Sequence, residues 1–140
     1  MNGDCWTADM ETLLFFDGQP AAFPIYAAFE AAVLGMFPEA RKQVRKTQIT
    51  FYHRYVFACA SLARVKRKSE LPDPWLTVTL GLPRPPESDR IAVKCEPYPG
   101  RWTVHVVIGG AEEIDDELLG WIREAYDFSE AKGRGAGRRR

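Results

Sequence analysis

The side chains best equipped for chemistry in this sequence recur at every second position. In KTQITFY, Lys46, Gln48, Thr50 and Tyr52 alternate with Thr47, Ile49 and Phe51, and in WLTVTLGL Thr77 and Thr79 alternate with Leu76, Val78 and Leu80. Lys94 and Glu96 in IAVKCE, and Thr103 and His105 in RWTVHVV, continue the pattern. A period of two puts the two sets on opposite faces of a sheet, so the polar set is expected to converge on one surface. There Lys46 and Lys94 would attract an anion, while Gln48, Tyr52, Thr79 and His105 supply hydrogen bonds. His105 also titrates in the range needed for acid or base work, with Glu96 placed to orient it if a tight YPG turn makes their strands neighbours. A sheet that is merely wet on one side produces the same alternation.

A second constellation is electrostatic. Residues 41–68 hold nine cations and no acid: Arg41, Lys42, Arg45, Lys46, Arg54, Arg64, Lys66, Arg67 and Lys68. With Phe51, Tyr52, Tyr55 and Phe57 interleaved, this is the composition of a surface that neutralises phosphates and stacks bases. The nucleic-acid alternative therefore rests on Arg41, Lys42, Arg45, Arg64, Lys66, Arg67 and Lys68. Residues 1–40 carry six acids and no cation, so the same charges also suit attraction between parts of one domain. His53, His105 and Cys95 lack the spacing and the fourth ligand of a zinc site. GRGAG has no strand before it to form a phosphate loop, and no nucleophile elbow is present. No catalytic residue, metal or cofactor is assigned.

These side chains need elements to position them, and 140 residues are enough for one domain. An apolar share of 46% with 27% charged residues fits a globular interior. Three cysteines without a CxxC pair are expected to be free thiols in a reducing compartment, the cytoplasm. The longest apolar stretch is interrupted by Pro24, Glu30 and Gly35, which argues against a membrane partner. Thr7 or Asp9 can cap a first helix, and Pro20 suits the start of a second, which buries Ala22, Tyr26, Phe29, Val33 and Met36 or Phe37. Short loops then separate the strands, favouring antiparallel pairing. Asp115 caps the last helix, with Asp116 and Glu117 at its positive end and Leu118, Leu119, Ile122, Ala125 and Tyr126 as its buried stripe. Past Phe128 no large apolar residue and no period remain, so 129–140 is expected to be a disordered basic tail on a domain spanning 1–128.

The expected fold is thus α+β, with two N-terminal helices, an antiparallel sheet of about five strands, and a C-terminal helix packed on the apolar sheet face. That face would hold Ile49, Phe51, Leu76, Val78, Leu80, Ile91, Val93, Trp102, Val104 and Val106.

FFDGQPAAFPIYAAFE, KTQITFYHRYVFA and RWTVHVVIGGAEEIDDELLGWIREAY, in that order and spacing, resemble the DUF5655 domain family over Leu14 to Phe128. This is a group of bacterial and archaeal domains of unknown function, either free-standing or joined to other domains. The resemblance implies a cytoplasmic domain and supplies no catalytic residue. The proline-rich LPRPPES connection and the arginine-rich tail depart from the family pattern. The expected function is a non-enzymatic binding or accessory module that meets a protein partner or a small anionic ligand on the polar sheet face. Nucleic-acid binding through 41–68, or an enzyme using His105, are the alternatives.

Overall fold

The computed structural model describes residues 10–138, with side chains as far as Ala131. The expected cap of the first helix, Thr7 or Asp9, lies outside the described residues, as does Cys5. Residues 10–15 form helix α1, and a 3-10 turn at Pro20–Ala22 leads into α2, Phe23–Met36. Six strands follow: β1 (Arg41–Val44), β2 (Ile49–Tyr52), β3 (Val56–Ser61), β4 (Leu76–Leu82), β5 (Ile91–Tyr98) and β6 (Arg101–Ile108). Helix α3, Asp116–Arg138, is the last described element. All strand pairs are antiparallel, in the order β1-β2-β3-β4-β6-β5.

The fold is α+β, with six strands where about five were expected. The added strand is β1, whose RKQV alternates Lys42 and Val44 inward with Arg41 and Gln43 outward. An edge position accepts such charged residues because only one side is paired.

Both long helices lie on one face of the sheet. Ala22, Tyr26, Phe29 and Val33 are buried as the helical spacing requires, and Phe29 meets Phe51 edge-on at 5.6 Å. Leu118, Ile122 and Ala125 of α3 are fully buried, and the helix packs on β3 and β4. Beneath them Leu76, Val78, Leu80, Val104, Val106 and Ile108 are essentially inaccessible. Each such side chain contributes about 1.5–3 kcal/mol on burial, so the helices are held to this face. Among the described residues no helix packs on the other face, although Thr50, Cys59 and Thr77 there are themselves buried.

Two irregularities re-sort side chains between the faces. Near the start of β3 the register shifts, pairing Tyr52 with Val56 but Phe51 with Ala58. Phe57, thus released from strict alternation, packs beside Phe37 and Tyr126 on the helix side. In β5, Ile91 pairs with Val106 but Val93 pairs with His105, so one extra residue intervenes. The β5–β6 turn is completed by Gly100 at φ +75°, a left-handed conformation suited to glycine.

The start of α3 is fixed as expected: Asp115 Oδ1 accepts from the Leu118 amide at 3.1 Å. Arg90 donates to both Asp115 carboxylate oxygens at 2.9 and 3.1 Å, to Glu117 at 3.0 Å and to the Glu113 carbonyl at 2.7 Å. The proline-rich connection is thereby tied to the helix. Helix α3 runs past Phe128, with Ser129 buried and Glu130 3.2 Å from His53 Nδ1.

Candidate functional site

On the helix-free face, strand pairing builds one transverse row. Thr50 is opposite Cys59, Cys59 opposite Thr79, Thr79 opposite His105, and His105 opposite Val93. The Thr79 hydroxyl and His105 Nδ1 are 2.9 Å apart. Burial lowers the His105 pKa, which keeps the imidazole neutral at pH 7, with one nitrogen donating and the other accepting. Burial also pushes the Cys59 thiol up to about 11, so it stays protonated and is a poor nucleophile.

Two residues along from Thr79, Gly81 pairs with Thr103 and presents no side chain to this face. An added Cβ there would meet nothing within 4 Å. The result is a shallow depression of about 180 Å³, lined among others by Val56, Cys59, Thr79, Gly81 and Thr103. Val56, 49% exposed, stands at its rim, and Val93, 38% exposed, flanks His105. The chemistry available is hydrogen bonding beside a small apolar recess.

The expected site residues divide. Tyr52, Thr79 and His105 share the helix-free face. Lys46 lies in the β1–β2 connection, which the Arg45 amide closes by donating to the Gln48 carbonyl at 2.8 Å, so neither Lys46 nor Gln48 is a strand residue. Lys94 pairs with Val104 and is therefore on the helix side of edge strand β5, whereas Val93 and Cys95, expected among the apolar set, pair with His105 and Thr103. The extra residue after Ile91 reverses the alternation; from the sequence alone either register fits IAVKCE. Glu96 does not orient His105: its Oε2 accepts from the Gly100 amide at 3.0 Å. Among the described residues, no group of three or more His, Cys, Asp or Glu side chains could hold a metal.

The cations of 41–68 also separate. Arg45 and Lys46, with Arg64, Lys66, Arg67 and Lys68 of the β3–β4 connection, are exposed at one end of the sheet. Arg41 pairs with Tyr52 at the other end. Lys42 pairs with Phe51 and turns to the helix side, where its ammonium reaches Glu30 Oε1 at 2.7 Å.

That last contact marks a site absent from the sequence reading. Between α1, α2 and β1 lies a groove of about 460 Å³ lined by Thr12, Leu13, Phe23, Tyr26, Ala27, Glu30, Ala31, Leu34 and Lys42. Glu30, an acid on the otherwise apolar helix α2, was the available signal. A larger, more open recess of about 660 Å³ is lined by two neighbouring stretches, residues 86–89 and 91–94, and gathers no comparable cluster.

No helix among the described residues is long and apolar enough to cross a membrane. A family model described as a domain of unknown function, DUF5655, matches residues 14–129. No curated protein and no solved structure matches.

Proposed function

We propose that the chain, which belongs to the DUF5655 family, is a non-enzymatic binding or accessory module that meets its partner with the helix-free face of its sheet. The observation that carries this reading is the Gly81 depression beside the Thr79–His105 pair. A recess without a side chain, flanked by a hydrogen-bonding ring and an exposed Val56, suits a small apolar group presented next to a polar one. With Lys46 in a connection and Lys94 on the other side, the anion-attracting charge expected of this face is displaced, and a protein segment fits better than a small anion. Around His105 only the Thr79 hydroxyl lies within hydrogen-bonding distance among the described residues, an arrangement for orientation rather than proton transfer. The proposed setting is the cytoplasm, where an exposed free thiol such as Cys95 stays reduced.

The test is an amide-shift screen of short peptides and of inorganic phosphate against the domain. A true ligand perturbs Thr79, Gly81, Thr103 and His105 and loses its effect in Gly81→Thr. Ligands that consistently map elsewhere would sink the reading.

A second reading follows from the clustering of Arg45, Lys46, Arg64, Lys66, Arg67 and Lys68 at one end of the sheet. Nucleic acid bound there would give log affinity falling with log salt at ~0.9 per phosphate neutralised on duplex DNA. A flat salt dependence in a gel-shift titration ends that reading.

A further inference from the structure

We propose that the groove between α1, α2 and β1 is a separate binding site for a neutral amphipathic molecule, one with an apolar body and an amide or hydroxyl head. The walls supply the first half of that specification. Leu13, Phe23, Ala27, Ala31 and Leu34 give an apolar lining, and a volume of about 460 Å³ accommodates a small molecule. Ala27 and Ala31 are exposed to the groove rather than engaged in the core.

The polar end supplies the second half. Glu30 Oε1 accepts from the Tyr26 hydroxyl at 2.8 Å and from Lys42 Nζ at 2.7 Å, while Lys42 also donates to Thr12 Oγ1 at 2.8 Å. An ammonium has three donors, so one Lys42 N–H remains beyond these two bonds. Glu30 Oε2 has no partner among the described residues. The pair therefore offers one donor and one acceptor side by side. Its charges cancel, so a carboxylate head would face Glu30 and an ammonium head would face Lys42, each at a desolvation cost. An amide satisfies both groups without adding charge. Burial and Glu30 raise the Tyr26 pKa far above its ordinary value, so the phenol remains a donor to Glu30 and does not compete for the head.

Calorimetric titration of the full chain with octanamide, octanoate and octylamine tests the assignment. Octanamide is expected to bind saturably and raise the melting temperature, with the two charged analogues weaker by about tenfold or more, one unpaired buried polar group being enough for that ratio. Ala31→Phe fills the groove and is expected to abolish binding while the free protein melts as before. Should that variant misfold, Ala27→Leu makes the same test. Gly81→Thr is expected to leave octanamide binding intact, which separates this site from the sheet face. The proposal is overturned if no member of the series binds, if octanoate or octylamine matches octanamide, or if binding survives Ala31→Phe in the folded protein. It is equally overturned if sedimentation shows a wild-type dimer that Ala31→Phe dissociates, since the groove's occupant is then a second copy of the chain.

Discussion

Thr79 and His105 face each other across the β4–β6 strand pair, hydroxyl to imidazole Nδ1, at 2.9 Å. The contact joins two strands that are far apart in sequence and fixes the ring's orientation on the helix-free face. Because burial lowers the imidazole pKa, the folded state disfavours protonation relative to the unfolded chain. Its contribution to stability is therefore complete above the ordinary value of 6.5 and declines as pH falls through the lower folded value. An NMR titration of the His105 ring should report a midpoint below 6.5, and His105→Gln should flatten the acid side of the melting profile.

Gly81 provides a substitution that distinguishes surface function from folding. With no contact within 4 Å of a built Cβ, Gly81→Thr can be accommodated in the strand. The removal of glycine flexibility and the gain in strand propensity together favour a rise of roughly 0.5–1 kcal/mol in stability. Thermal melts should show equal or higher stability while ligands of the helix-free face are lost.

Phe51 connects sheet and helix through Tyr26 and Phe29 and is fully inaccessible. Phe51→Ala leaves a cavity that α2 can only partly close, at a cost of about 3–5 kcal/mol. Urea unfolding should record this as a lower midpoint with an unchanged slope.

Lys42 and Glu30 are partly shielded, with side chains 14% and 29% exposed. Removing one partner is worse than exposing a surface pair but milder than stranding a fully buried charge, so Lys42→Met should cost roughly 1–3 kcal/mol. Adding Glu30→Gln should restore part of the loss, and a double-mutant cycle measures how much.

Asp115 is held below its ordinary pKa of 3.8 by hydrogen bonding from Arg90 and by the Leu118 amide. A carboxylate depressed in the folded state stabilises the fold above 3.8, and this contribution is lost as pH falls through the lower folded value. Arg90→Ala should reduce that acid sensitivity and accelerate hydrogen exchange in the first turn of α3. Unchanged exchange at Leu118 would refute the clamp.

Local grammar made part of this legible in advance. The Asp115 cap, the buried stripe Ala22, Tyr26, Phe29 and Val33, and the face containing Val78, Leu80, Val104 and Val106 all follow from short-range spacing. β1 was not legible, because RKQV is three-quarters polar and becomes a strand only through pairing with β2. The β5 register was hidden for a related reason: an inserted residue changes which side chains share a face without changing their order in sequence. Lys94 consequently moved away from His105. The Tyr26–Glu30–Lys42 cluster depends on a turn of helix meeting an edge strand, a juxtaposition that no local pattern encodes.

The same irregularities in β5 govern how the molecule behaves toward its own kind. An eight-residue outer strand would ordinarily display a continuous ladder of unpaired amides and carbonyls on which another chain could template itself. Here the pairing register breaks between Ile91 and Val93 and again between Cys95 and Tyr98, while Pro97 removes one donor and Lys94 adds a charge. The outer margin is thus guarded against fibrillar growth at high concentration by the deviation that turns Val93 toward His105.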